Sequence, residues 1–160
     1  MRILLLTLGL IFTLSPYPQQ AGDQNLLVGN WKLISSQAVY DNNGVPQDVP
    51  GPHPKGYLIL TPEGRMMAMV YSGTRKPGPS DAERAELWKS MIAYSGKYRI
   101  EGDDFVTIVD VSWNEAWNGT EQRRHYKLED DKLTVVTVPQ KSPFFQGKSY
   151  TSTVFWEREK

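Results

Sequence analysis

Eight strand candidates in this chain are joined by connections that alternate long, short, long, short, long, short, long. The three short links are Thr61-Pro62-Glu63-Gly64, Glu101-Gly102-Asp103 and Glu129-Asp130-Asp131. The four long links hold most of the prolines and several large aromatics. In an antiparallel meander, successive connections fall at opposite ends of the sheet. One end is therefore drawn tight and the other is elaborated, as in a cup with a built-up mouth.

The strands follow from period-2 alternation bounded by turn residues. They are read as Asn30–Tyr40, Gly56–Thr61, Arg65–Ser72, Tyr94–Ile100, Phe105–Trp113, Gln122–Leu128, Leu133–Val138 and Tyr150–Arg158. Between the third and fourth lies the single good helix signal. Ser80 with Glu83 forms a capping box, and Ala85, Leu87, Trp88, Met91 and Ile92 recur at helical spacing, so the helix is expected over Ser80–Ile92. The expected fold is all-β: an eight-stranded up-and-down antiparallel barrel with one short helix between strands 3 and 4. Closure removes exposed sheet edges, and eight strands enclose room for side chains or one small ligand. An open β-sandwich is the competing architecture.

With 160 residues the chain fits one domain, expected over residues 25–160. Residues 1–22 read as a secretory signal and leader. Arg2 precedes an apolar run from Ile3 to Leu14, which is too short for the roughly 20 residues of a membrane-spanning helix. An exported protein, periplasmic or secreted, is expected, with no stable membrane span after signal removal. The chain has no cysteine, which excludes disulfides, thiolate metal sites and cysteine catalysis. Its 18 basic and 18 acidic residues offer no electrostatic reason to expect nucleic acid as a partner. Nothing in the sequence specifies an oligomeric state.

Gly29-Asn30-Trp31 heads the first strand and Trp156-Glu157-Arg158 closes the last. The first of these resembles the G-x-W signature of lipocalins and related calycins. The resemblance implies that Gly29, Trp31 and Arg158 form the barrel floor, with the arginine packed across the tryptophan. The wider pattern includes Gly56-Tyr57-Leu58-Ile59-Leu60-Thr61-Pro62-Glu63-Gly64-Arg65-Met66, Tyr94-Ser95-Gly96-Lys97-Tyr98, Trp117-Asn118-Gly119-Thr120 and Gln122-Arg123-Arg124-His125-Tyr126. Together these resemble the lipocalin-like domain family of bacteria and fungi, over essentially Leu27 to Arg158. The family has no single established activity. Many members carry a histidine in the fifth strand, where this chain has Thr107-Ile108-Val109.

If Trp31 points inward, strict alternation takes Leu33, Ser35, Gln37 and Val39 inward as well. On the sixth strand the same logic turns Gln122, Arg124 and Tyr126 inward. An arginine in a barrel lumen is costly unless paired or wet. One reading is that Arg124 holds a carboxylate or other polar head, with Gln122, Tyr126 and Ser35 adding hydrogen bonds. The other is a network closing on Asp or Glu, or an arginine at the wet rim. Met69, Tyr71, Tyr98 and Phe105 are candidates for the interior wall. Trp88, Trp113, Trp117 and Phe144-Phe145 lie on the mouth connections, where they line an entrance or stopper it.

Two histidines, His53 and His125, exclude a three-histidine metal site; no metal and no cofactor are expected. A set of His53, Asp48 and Glu115 is the remaining mixed combination. The expected partner is thus a small, mainly hydrophobic ligand held in the barrel by Ser35, Met69, Tyr71, Trp88, Tyr98, Phe105, Trp113, Trp117, Gln122, Arg124 and Tyr126. Two other functions use the same frame. One is a cofactor-independent cyclase, isomerase or dehydratase using Arg124, Tyr98 and Tyr126. The other is an interaction module with a solid core.

Overall fold

The structure is a computed structural model that describes residues 24–40, 44–141 and 149–160. The signal-like segment and Phe144-Phe145 lie outside the described residues. Its strands are β1 (Gly29–Tyr40), β2 (Gln47–Asp48), β3 (Lys55–Leu60), β4 (Arg65–Tyr71), β5 (Met91–Glu101), β6 (Asp104–Ser112), β7 (Glu121–Glu129), β8 (Lys132–Thr137), β9 (Gln140–Lys141) and β10 (Ser149–Arg158). Residues 24–27 are helical, a helix α1 (Asp81–Lys89) sits between β4 and β5, and a 3₁₀ turn covers Glu115–Trp117.

The sheet order is β1-β3-β4-β5-β6-β7-β8-β10, and β10 pairs back onto β1, which closes an antiparallel barrel of eight strands. The short strands β2 and β9 are appended to β1 and β10 at the mouth. The three short links turn tightly at the opposite end. Gly64, Gly102 and Asp130 take positive φ there, at 75°, 60° and 52°. For the two glycines this carries no steric cost, and an aspartate tolerates it better than most residues.

The core fills the closed half of the barrel. Leu27, Trp31, Leu60, Met66 and Leu133 are almost completely buried, and Leu58, Ile100, Phe105 and Trp156 complete the layer. Each such side chain contributes about 1.5–3 kcal/mol of transfer free energy. The floor pair is in place. The Arg158 guanidinium carbon lies 4.2 Å from the Trp31 ring centroid, and the indole Nε1 donates to the Leu27 carbonyl at 2.9 Å.

Strict alternation along β1 does not hold. Leu33 pairs with Trp156 but Ser35 pairs with Phe155, so one extra residue, Ile34, is accommodated as a β-bulge. Beyond it the inward set becomes Ser36, Ala38 and Tyr40. Ser35 stands on the outer face opposite the exposed Phe155, and Gln37 and Val39 follow it. A second irregularity lies in β6, where Ser95 pairs with Val111 and Gly96 with Val109. It leaves Asp110 outside, where it meets Arg65 at 2.7 Å.

The inner face of β4 also differs from expectation. Met66, Ala68 and Val70 point into the barrel, while Met67 and Met69 are exposed and Tyr71 shares their outward parity. The Tyr71 ring instead receives the Arg75 guanidinium at 5.6 Å. The helix is shorter than its apolar spacing suggests. It ends at Lys89 and buries none of its residues, because Met91 and Ile92 belong to β5. The capping box is as read: Ser80 Oγ accepts from the Glu83 amide, and Glu83 returns a bond to the Ser80 amide at 2.9 Å.

Candidate functional site

The upper half of the barrel is hollow. A cavity of about 720 Å³ opens between the long connections, within the size range of small-molecule sites. Tyr94, Ala68, Val70 and Val154 form its walls, and Trp156 separates it from the packed half below. At the mouth it is framed by Asp48 to Gly51, by Trp88 to Ile92, and by Trp113 to Trp117. The described mouth rings therefore surround an opening and do not fill it.

The rings form one connected path. Trp88 on α1 lies 6.5 Å from Trp113, and Trp113 meets Trp117 edge-on at 4.9 Å. Trp117 in turn meets Tyr94 edge-on at 5.3 Å. Such edge-to-face contacts follow from the quadrupole of aromatic rings. The path ends at Arg124, whose guanidinium carbon is 5.4 Å from the Tyr94 ring and 5.9 Å from the Trp117 ring. The loop carrying both tryptophans is held by short-range bonds. Asn114 Oδ1 accepts from the Ala116 amide at 3.2 Å, and Thr120 Oγ1 donates to the Trp117 carbonyl at 2.7 Å.

Arg123 and Arg124 are neighbours in sequence with opposite surroundings. Arg123 points outward into a ring of carboxylates. It reaches Glu101 at 2.6 Å, Asp104 at 2.9 Å and Glu121 at 3.2 Å. Arg99 bridges Glu101 and Glu121 beside it, and His125 Nδ1 lies 2.6 Å from Asp104. The two arginines hold the carboxyls of Glu101 and Glu121 below the usual range, Arg123 with His125 does the same for Asp104, and those carboxylates raise Arg99 and Arg123. Arg124 points inward, is only 8% exposed, and has no carboxylate within ion-pair distance among the described residues. Its Nη1 has no hydrogen-bond partner among the described residues.

Beside Arg124 runs a row of hydroxyls set by strand register. Arg124 pairs with Thr137 on β8, and Thr137 lies next to Ser152 on β10. Thr137 Oγ1 accepts from the Ser152 amide at 2.7 Å, while its contact to the Ser152 carbonyl stretches to 3.5 Å. Ser36, inward because of the β1 bulge, also lines the cavity. Tyr40 lines its upper part, and burial raises the pKa of its phenol.

Of the residues singled out from sequence, Trp88, Trp113, Trp117 and Arg124 come together around the cavity. Ser35, Met69 and Tyr71 do not, since their side chains face outward. Tyr98 and Phe105 are inward but sit in the packed half, stacked at 5.1 Å. Burial raises the Tyr98 pKa, opposed by a hydrogen bond from Gln24. Gln122 and Tyr126 share the parity of Arg124 without lining the cavity. Gln122 donates to Thr120 Oγ1 at 2.9 Å, and Tyr126 packs against the core. Tyr94, Ser36, Thr137 and Ser152 were missed as cavity residues. Tyr94 carried a usable signal in the clean alternation of β5, whereas the other three depend on register across strands. His53, on the mouth loop, donates its amide to Asp48 at 3.2 Å. Among the described residues no group of His, Asp or Glu is arranged to hold a metal ion. No helix among them is long and apolar enough to cross a membrane.

A closed antiparallel barrel with a tryptophan–arginine floor and a hollow upper half defines a lipocalin-like scaffold. The chain belongs to the lipocalin-like domain family, whose model matches residues 28–159. Among solved structures it is similar to an uncharacterized protein from Bacteroides eggerthii DSM 20697. The two are 17% identical over 81% of this chain and 98% of that one, with a TM-score of 0.44. Among curated proteins nothing matches.

Proposed function

We propose that this protein binds a small, mainly apolar molecule inside the barrel and that it does so after export. The observation that carries the binding reading is the cavity of about 720 Å³, walled largely by aromatic and aliphatic side chains and bordered by the long connections. Pockets with apolar walls and a few placed polar groups bury most of a small ligand, and the hydrophobic effect supplies most of the affinity. Among its polar groups, Arg124, Thr137, Ser152 and Ser36 are gathered on adjacent strands of one side, while Asp48, Lys89 and Asn114 stand at the mouth. The export reading rests on Arg2 and the apolar run Ile3–Leu14.

Native mass spectrometry of the protein purified from its source tests the binding reading. The expected result is a co-purified small molecule released on denaturation. A ligand-free protein that also fails to take up any apolar probe would sink it. N-terminal sequencing of the same sample tests export: a mature chain starting between Pro16 and Asp23 is expected, and one that keeps Met1 or Arg2 contradicts it.

A further inference from the structure

On the reading that the cavity holds a small apolar molecule, we infer that this molecule is a carboxylate with a ring-containing body. It enters head first, so that the carboxylate reaches Arg124. The argument begins with an imbalance of charge. Arg65, Arg84, Arg99, Arg123 and Arg158 each pair with a carboxylate, and all of them keep part of their side chain in water. Arg124 is the most buried arginine and pairs with none among the described residues. A guanidinium stays protonated under all physiological conditions, so it cannot escape its desolvation penalty by losing a proton. Contacts to the Tyr94 and Trp117 rings offset part of that penalty. The Nη1 hydrogens remain without an acceptor among the described residues. A buried, unpaired cation facing a cavity is the complement of an anion inside that cavity.

The surroundings favour a carboxylate for that anion. Thr137 sits opposite Arg124 in register; its hydroxyl accepts from the Ser152 amide at 2.7 Å and the Ser152 hydroxyl at 3.4 Å, and donates to the Ser152 carbonyl over a long 3.5 Å contact. Exchanging that long contact for a second carboxylate oxygen, while Arg124 holds the first, shortens the hydroxyl's bond. Among the described residues no carboxylate competes at this depth, because Asp48, the acidic residue lining the cavity, sits at the mouth. The body of the ligand then lies along the path from Arg124 through Trp117 and Trp113 to Trp88. Rings against rings gain quadrupolar contacts that an alkyl chain lacks, and a rigid body loses less entropy on binding.

Titration calorimetry on the full chain at pH 7 tests this with three probes: 2-naphthoic acid, its neutral counterpart 2-acetylnaphthalene, and decanoic acid. Naphthoic acid should bind on the order of tenfold or more tighter than the ketone, as expected for a charge-assisted hydrogen bond. It should also bind more tightly than decanoic acid. Arg124→Gln should abolish the preference for acid over ketone. Urea unfolding of the same variant should show unchanged or higher stability without ligand, since it removes a buried, unpaired charge. Equal affinity of acid and ketone in the wild type overturns the anionic assignment while leaving the cavity reading intact. So does a preference that survives Arg124→Gln. Equal or tighter binding of decanoic acid overturns the ring-containing body. Failure of all three probes to bind overturns both this inference and the binding reading on which it stands.

Discussion

The guanidinium of Arg158 lies 4.2 Å from the centre of the Trp31 ring, and its two Nη atoms donate to the carbonyls of Val28 at 2.6 Å and Leu26 at 2.7 Å. One side chain from the last strand therefore caps the indole that plugs the barrel and ties down the chain entering the first strand. Arg158→Ala is expected to destabilise the fold by about 2–4 kcal/mol, from two charge-assisted hydrogen bonds and a cation–π contact. Arg158→Lys should recover only part of this, because an ammonium lacks the planar fork. Gly29 belongs to the same unit. A Cβ there would stand 2.8 Å from Arg158 Nη1 on a backbone with φ of 147°, so Gly29→Ala should destabilise too. Urea denaturation of the three variants measures these costs, and a loss below about 0.5 kcal/mol for Arg158→Ala contradicts the floor assignment.

The bulge at Ile34 makes two adjacent serines behave differently. Ser36→Phe projects a ring into the cavity and should weaken binding of 2-naphthoic acid by about tenfold or more, through steric exclusion. Ser35→Phe projects outward beside Phe155 and should change binding less than twofold. Calorimetry on the two variants decides it, and the reverse pattern would mean that β1 keeps strict alternation.

Acid should weaken the outer face. Hydrogen bonds and charges from Arg123 and Arg99 depress the carboxyls of Glu101 and Glu121 in the folded protein, and those from Arg123 and His125 depress Asp104. A depressed carboxyl contributes stability that is complete above its unfolded pKa and lost as pH falls through the folded value. The urea midpoint should thus hold steady from pH 7 to about 5 and fall progressively below about pH 4. Glu101→Gln should flatten that fall. A midpoint equally steep in the variant would place the acid sensitivity elsewhere.

Trp88 should matter for the ligand more than for the fold. It is 45% exposed, on a helix that buries none of its residues, and meets Trp113 at 6.5 Å across the mouth. Trp88→Ala is expected to cost less than about 1 kcal/mol in unfolding free energy, as for a partly exposed side chain away from the core. The same change should speed release of bound 2-naphthoic acid several-fold. Stopped-flow tryptophan fluorescence reads the rate. An unchanged off-rate contradicts a role for α1 at the entrance.

Much of this fold is legible in the chain because its causes are local. Thr61–Gly64 and Glu101–Asp103 carry glycine where the backbone must turn through positive φ. Tyr98 and Ile100 alternate with Lys97 and Arg99 because one face of β5 meets the core and the other meets water. The parity that turns Arg124 inward follows in the same way from Tyr126 and Leu128. Helix α1 shows the limit of such reasoning. Trp88, Met91 and Ile92 fit a helical stripe, yet β4 captures Met91 and Ile92 as strand partners of Tyr71 and Val70. A ladder of backbone hydrogen bonds outweighs a weak helical preference at the helix end.

By itself the sequence determined the eight strands of the barrel, its tight and elaborated ends and the parity that Arg124 shares with Tyr126 and Leu128; the Trp31–Arg158 floor came from the resemblance of Gly29-Asn30-Trp31 to a family signature. The strands, the ends and the parity depend on residues close in sequence or on a simple period. Only the tertiary structure decided which serine faces the lumen and whether the mouth is open. The β1 bulge arises where β1 must stay in register with β10 at the far end of the chain, and an extra residue leaves no mark in local alternation. The cavity depends on how far apart the described loops hold Trp88, Trp113 and Trp117. Those distances are set by packing among segments separated in sequence, to which the periodicity of any one strand is blind.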